Sequence, residues 1–177
     1  MKIVPSKPKI FPDNYVAIEL SKSDVDISQI YDKAVSGGFR EQTNLHITIV
    51  GSEANDALNA KLDPLGAGDK ENLLLKLDDL ISKFSWDFTE NEFFLIQKTG
   101  KFGTGGVEEK RSSIIQVIDM PDMEKFYNEF NKLAGQSIPT QFPHITLFTK
   151  GEREDPDYFG IPIPSIVEFE KISSEIK

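Results

Sequence analysis

Two stretches of sequence, LHITIV at 45–50 and HITLFT at 144–149, decide how this chain is interpreted. Both are rich in β-branched and apolar residues, and the first is stopped by Gly51, so each predicts a β-strand. Each contains the tripeptide His-Ile-Thr, which begins at His46 in the first and at His144 in the second. These are the only two histidines among the 177 residues, so any chemistry that needs two imidazoles must use both.

The two tripeptides lie 98 residues apart, and the same offset relates the sequence around them. It carries residues 14–20, which include the predicted strand 15–20, onto the predicted strand 112–118, and it carries Gly37 onto Gly135, each of which ends a predicted helix. The order strand, helix and His-Ile-Thr strand therefore occurs twice in register. Two copies indicate a pseudo-twofold duplication rather than a solenoid, which needs three or more repeats.

Hydrophobic periodicity predicts the remaining elements. We expect strands at 15–20, 45–50, 92–98, 112–118, 144–149 and 166–172, helices at 26–36, 70–84 and 121–134, and loops at 52–68, 99–110 and 152–164. The prediction is an α+β fold in a single bilobal domain spanning 1–177, with two antiparallel sheets around a central cleft and the helices outside. An N-terminal extension covers 1–13, and the lobes are built from about 14–98 and 112–172.

The spacing of the tripeptide has a chemical consequence. Residues i and i+2 of a strand point to the same face, so His46 lies beside Thr48, and His144 beside Thr146. Two imidazoles and two hydroxyls in one cleft suit phosphoester chemistry. One neutral histidine takes a proton, the other donates one to the leaving oxygen, and the hydroxyls bind non-bridging phosphate oxygens. No metal or other cofactor is needed for these steps.

These paired motifs resemble those of the two-histidine (2H) phosphoesterase superfamily, which includes RNA 2′,3′-cyclic phosphodiesterases, 2′-5′ RNA ligase-like proteins and cyclic-nucleotide phosphodiesterases. The resemblance covers roughly residues 14–172, and the Gly-Lys-Phe segment at 100–102 is similar to a Gly-x-Phe region between the lobes of some members. It implies that His46 and His144 are the acid/base pair and that Thr48 and Thr146 bind phosphate.

Three further residues are candidate substrate contacts. Phe148 follows Thr146 by two positions, so strand alternation places it on the histidine face, where it either stacks on a base or packs between the lobes. Tyr15 and Ser113 are equivalent under the 98-residue offset and lie on strands expected to neighbour the histidine strands.

Composition excludes several classes of function. The absence of cysteine excludes disulfides, thiol nucleophiles and cysteine metal sites, and the two histidines lack the spacing of a metal motif. The net charge of −9 argues against a long duplex nucleic acid as partner. Neither a signal peptide nor a membrane span is expected, so the prediction is a cytoplasmic monomer that does not bind membranes.

The sequence predicts a hydrolase that opens a 2′,3′-cyclic phosphate on a nucleotide or RNA terminus by attack of water. Three alternatives remain open at this point. The first is a phosphodiesterase for 2′-5′ oligonucleotides or cyclic mono- or dinucleotides, the second an RNA end-joining ligase, and the third a non-catalytic nucleotide- or RNA-binding module. Symmetry between the two halves does not say which histidine is the acid and which is the base.

Overall fold

The computed structural model describes residues 2–102, 106–152 and 160–176. The strands are β1 (Lys2–Ile3), β2 (Lys9–Ile10), β3 (Val16–Glu19), β4 (Arg40–Glu41), β5 (His46–Val50), β6 (Phe88–Phe102), β7 (Val107–Asp119), β8 (His144–Lys150) and β9 (Ser173–Glu175). The helices are α1 (Tyr31–Ser36), α2 (Ser52–Leu62), α3 (Ala67–Ile81), α4 (Met123–Ala134) and α5 (Ile166–Ile172), with a short 3-10 helix at Lys22–Asp24. The fold is α+β, as the sequence predicts.

The described strands form one sheet, and the expectation of two separate sheets is wrong on this point. The order is β1-β6-β7-β8-β5-β3-β2, with β4 paired to β8 and β9 paired to β6, and the pairs are antiparallel. The halves join at the centre, where Ile47 of β5 pairs with Ile145 of β8. Because this backbone pairing continues the hydrogen-bonded order across the middle, the cleft lies over a continuous surface rather than between two sheets.

The strand register repeats along the chain. In the β3–β5 pair, Ala17 lies opposite Thr48 and Val16 opposite Val50, with a bulge between these two pairs. In the β7–β8 pair, the residues 98 positions later are opposed in the same way: Ile115 to Thr146 and Ile114 to Phe148, again with a bulge between the pairs. The offset read from the sequence is therefore also an offset of hydrogen-bond register.

Helices α1 to α4 cover the face of the sheet opposite the histidines. The residues between each histidine and threonine, Ile47 and Ile145, are fully buried there. Helix α4 contributes the stripe that its sequence predicts, and the Tyr127 hydroxyl donates to the Ile49 carbonyl at 2.9 Å. This bond fixes α4 against the strand that carries His46. Burying each large apolar side chain contributes about 1.5–3 kcal/mol to the stability of the fold, so a stable packed core holds the two histidine strands in position.

Two predicted segments have a different secondary structure. The predicted loop 52–68 contains helix α2, whose buried Ala54, Leu58 and Leu62 have helical spacing, and the start of α3. The predicted strand 166–172 is helix α5 instead. Its local signal is Ser165, whose hydroxyl accepts a hydrogen bond from the Glu168 amide at 3.4 Å and so caps the helix. The cap marks the start of a helix in a segment whose apolar residues also have β-propensity.

Other differences concern element lengths. Strands β6 and β7 pair as far as Phe102 and Val107, so the glycine-rich connection is shorter than the predicted loop 99–110, and residues 103–105 of it lie outside the described residues. Helix α1 is shorter than predicted, and the extension 1–13 contributes β1 and β2. Residues 153–159 of the predicted loop 152–164 lie outside the described residues. None of the described helices has the length and apolarity required to cross a membrane.

Candidate functional site

Four polar side chains meet on the exposed face at the centre of the sheet. The pairing of Ile47 with Ile145 is antiparallel, so it places His46 across from Thr146, and Thr48 across from His144. Directly opposed residues of this kind have Cβ atoms about 4.5–5.5 Å apart. The two tripeptides therefore bring together two imidazoles and two hydroxyls, with a histidine and a threonine from each strand at alternate corners.

The two histidines are oriented in the same way. Nδ1 of His46 lies 3.0 Å from the carbonyl oxygen of Asn44, and Nδ1 of His144 lies 2.8 Å from that of Phe142. A carbonyl oxygen only accepts, so Nδ1 carries the hydrogen in both rings. In the neutral imidazole this leaves Nε2 as the basic nitrogen, and it fixes the ring plane. Both histidines therefore present the nitrogen that proton transfer requires.

The four side chains line a cleft of about 300 Å³. The other lining residues come from the ends of neighbouring elements: Tyr15, Gln42, Gly51, Ser52, Gln141 and the segment Gly160, Ile161, Pro162, Ile163 and Pro164. The N-terminal end of α2 borders the cleft through Gly51 and Ser52, where the unpaired amides of a first turn favour an anion. None of the described lining residues is lysine or arginine.

Gly51 is required by the close packing at the cleft floor. A Cβ atom at this position would lie 2.5 Å from Oε1 of Gln141 and 3.1 Å from Cγ2 of Thr48. Gln141 is itself held in place, because its Nε2 donates to the carbonyl of Ile163 at 2.7 Å. The glycine therefore lets the end of β5 approach the residue that secures the wall of the cleft. Neither Gln141 nor this wall is predictable from a sequence motif, because their contacts join residues that lie far apart along the chain.

The surroundings of the two histidines differ, although their motifs are identical. His46 is exposed, whereas His144 is half-buried, with the Phe142 ring stacked near it at 6.1 Å between centroids. Burial lowers the pKa of His144 from 6.5 to about 4, because a charged imidazolium loses solvation there; the nearby His46 lowers it further, and the Phe142 carbonyl opposes the shift. His144 is therefore neutral at pH 7.

This lowered pKa predicts a pH-dependent stability. Between pH 6.5 and about 4 the unfolded chain binds a proton at position 144 that the folded chain does not, so the free energy of unfolding falls as the pH falls through this window. The contribution is a few kcal/mol at most, at about 1.4 kcal/mol per pKa unit. This pH-dependent part of the unfolding free energy is absent in His144→Gln. Urea denaturation of both proteins at several pH values between 7 and 4 measures the free energy of unfolding. If it changed with pH equally in the two proteins, the prediction would be contradicted.

Tyr15 lines the cleft, but Ser113, which lies 98 residues later, is not among the lining residues. The Tyr15 hydroxyl is hydrogen-bonded to the Thr48 hydroxyl, and its ring meets that of His46 edge-on at 6.3 Å between centroids. Burial raises the pKa of Tyr15, so it remains a neutral donor. Ser113 is fully buried within β7, opposite Thr149. Of the two predicted candidates, therefore, only Tyr15 is placed to touch a ligand.

Phe148 does not face the cleft, which corrects the expectation that it shares the face of His144 and Thr146. It is fully buried in the helix-covered core, with its ring 6.0 Å from that of Tyr31. The cause is the bulge between the Ile114 and Ile115 pairings, which breaks the alternation of faces after Thr146. Its role is packing.

Among the described residues, no group of three or more histidine, aspartate or glutamate side chains is arranged to hold a metal ion. The cleft thus offers two Nε2 nitrogens, two threonine hydroxyls, a tyrosine hydroxyl and a helix terminus. All of these groups can hydrogen-bond an anion, and the two imidazoles can also exchange protons with it.

The chain matches no family model, and comparison with curated proteins and with solved structures gave no match either.

Proposed function

We propose that this protein is a phosphodiesterase that hydrolyses a 2′,3′-cyclic phosphate on a nucleotide or RNA terminus, using His46 and His144 as an acid/base pair without a metal. We further propose that it is a duplicated protein of the 2H phosphoesterase type. One observation carries the proposal: two histidines with the same Nδ1 bond to a backbone carbonyl lie opposite two threonines on paired strands. A purely structural role would not require this arrangement twice.

We propose different roles for the two histidines, on the basis of their different surroundings. His144 is the base, because its low pKa keeps Nε2 unprotonated and able to accept a proton from water. The bound phosphodiester anion raises this pKa, which makes the proton transfer easier. His46 is then the acid: it is exposed, and its Nε2 donates a proton to the departing oxygen.

The proposed hydrolysis transfers two protons and exchanges one bond at phosphorus for another. Water loses a proton to Nε2 of His144, and its oxygen forms a new bond to phosphorus. The bond from phosphorus to one ribose oxygen breaks, and that oxygen receives the proton from Nε2 of His46. The product is a phosphomonoester, and proton exchange with solvent restores both rings.

The threonine hydroxyls stabilise the negative charge on the phosphate. Thr48 and Thr146 each donate a hydrogen bond to a non-bridging oxygen, where the negative charge resides. Tyr15 supports this role of Thr48: when the phenol donates to the Thr48 oxygen, the Thr48 proton is available to the substrate. No lysine or arginine is among the described lining residues, so these neutral donors and the amides at the start of α2 hold the phosphate.

A substrate panel in EDTA tests the proposal. It contains nucleoside 2′,3′-cyclic phosphates, 2′-5′ dinucleotides, cyclic mono- and dinucleotides, and a pair of RNA ends bearing a 2′,3′-cyclic phosphate and a 5′-hydroxyl. Hydrolysis of the first group in EDTA is the expected result. Turnover confined to another group would move the protein to that substrate class, and joined ends would identify a ligase. Binding without turnover of any member would overturn the enzymatic proposal in favour of a binding module.

A further inference from the structure

A second cavity adjoins the cleft at its His46 end. It has a volume of about 810 Å³ and lies along β3 and the turn before β5. We call it the β3 groove; it is lined by Phe11, Pro12, Asp13, Tyr15, Ala17, Glu19, Leu20, Thr43, Asn44, Leu45 and His46. Tyr15 and His46 border both the groove and the cleft, so the two cavities meet at the exposed histidine.

The opposite end of the cleft is walled. The segment that follows residue 159 covers the His144 side, and two side-chain bonds hold it there. Gln141 Nε2 donates to the Ile163 carbonyl at 2.7 Å, and Arg111 Nη1 donates to the Gly160 carbonyl at 3.2 Å. Arg111 is in turn buried and paired with Glu109. In the part of the chain that the structure describes, the open volume for a large group at the phosphate site therefore lies beside His46, while this segment borders the His144 side.

We propose that the β3 groove binds the nucleoside on the leaving-oxygen side of the phosphodiester, and that it selects bases bearing amino groups. This inference rests on the proposed function, in which His46 protonates the leaving oxygen. The leaving oxygen must lie within hydrogen-bond reach of that acid, so the sugar that carries it lies at the His46 end. Water enters on the other side, and it needs no cavity of nucleoside size.

The groove has the chemistry of a nucleoside site. Its volume lies in the range of small-molecule pockets, about 300–1,000 Å³. The Phe11 and Tyr15 rings lie 6.0 Å apart between centroids and offer aromatic surface for a base. Ala17 lies at the floor with a side chain too small to obstruct a ligand.

The polar groups of the groove favour a particular kind of base. Asp13 and Glu19 carry carboxylates, and an ionised carboxylate only accepts hydrogen bonds. Exocyclic amino groups such as that of cytosine donate to such acceptors, whereas the corresponding position of uracil is an acceptor. Glu19 is paired with Lys9, which limits its repulsion of the substrate phosphate. The groove therefore discriminates through donors on the base.

A base-free substrate tests whether the groove is used. We compare cytidine 2′,3′-cyclic phosphate with the cyclic phosphate of methyl riboside, which has the same reacting bonds and no base. The wild-type protein should favour the cytidine substrate by about tenfold or more in kcat/KM. Thr43→Trp, which introduces an indole at the groove rim, should bring that ratio close to one, while Leu75→Trp on the exposed side of α3 should keep it. An unchanged ratio in Thr43→Trp overturns the proposal.

A pair of matched glutamates tests the selection of the base. Glu19→Gln should reduce the preference for the cytidine over the uridine cyclic phosphate. Glu41→Gln is the control, because Glu41 is also a strand residue paired with a lysine, Lys22, and is not among the lining residues of the groove. A preference that is absent in the wild-type protein, or that both variants retain, would overturn the selection of amino-bearing bases.

A binding readout separates this inference from the proposed function. The chain has two histidines, so its NMR spectrum has two Hε1 resonances that single His→Ala variants assign. Cytidine, which has no phosphate, should shift the His46 resonance in the wild-type protein but not in Thr43→Trp. If no phosphodiester is hydrolysed but cytidine still shifts His46, the groove stands as a nucleoside site and the enzymatic proposal fails. If phosphodiesters are hydrolysed and cytidine moves neither resonance, the groove inference fails alone.

Discussion

Replacing either histidine with alanine should lower kcat/KM for a nucleoside 2′,3′-cyclic phosphate by about 10²–10⁴, the usual contribution of a positioned acid or base. Each substitution removes one Nε2 and one bond from Nδ1 to a backbone carbonyl, and the buried Ile47–Ile145 pairing beneath the cleft is unaffected. The double variant should be little slower than the single variants, since the two groups act as a unit. Retention of activity within a factor of about three in either single variant would contradict the proposed site.

The two variants should differ in their dependence on the leaving group. A p-nitrophenolate ion departs without a proton, so a nucleotide p-nitrophenyl ester bypasses the need for the acid. His46→Ala should therefore be far less impaired on this ester than on the cyclic phosphate, whereas His144→Ala should be impaired on both. The reverse pattern would exchange the two roles, and equal impairment of both variants on both substrates would contradict the assignment.

The pH profile provides an independent check of the base. In the free protein, protonation of His144, the proposed base, near its pKa of about 4 removes the proton acceptor, so kcat/KM should rise with pH through that region. The residual activity of His144→Ala should lack this rise. If kcat/KM of His144→Ala still rose with pH in this region, another group would be the base.

The local geometry of the candidate site follows from the sequence, because the period of two in a strand is a local property. Strand alternation alone predicts that His46 lies beside Thr48 and His144 beside Thr146, and that the intervening isoleucines lie in the core. The amphipathic stripe of α4 is predictable for the same kind of reason, with a period of 3.6. The offset of 98 residues then brings the two pairs into equivalent positions.

Features that depend on contacts between distant segments are not predictable in this way. The bulge that turns Phe148 into the core is set by its partner strand β7, and the single sheet depends on the pairing of β5 with β8. The difference between the histidines comes from Phe142 and from the wall held by Gln141, neither of which the motif itself contains. The sequence thus indicates the candidate reacting groups, while the proposed assignment of acid and base rests on tertiary packing.

Replacing Thr146 with valine should lower kcat by about 10²-fold, in the range seen when one preorganised donor to a developing charge is removed. Valine has nearly the same shape, so the strand and the position of His46 across from it should persist. Thr48→Val should lower kcat by at least the same factor, because it also leaves the Tyr15 hydroxyl without its threonine partner.

Serine retains the hydroxyl that the threonine supplies, so Thr146→Ser and Thr48→Ser should restore most of the activity that the valine variants lose. Thr99→Val, on the exposed part of β6 outside the cleft, controls for the general effect of a valine in a strand. Steady-state measurement of kcat and KM for each variant separates the alternatives. A loss confined to KM would mean that the hydroxyls bind the ground state and the transition state equally. Valine variants as active as Thr99→Val would remove the threonines from the site and leave the histidines without donors for the phosphate oxygens.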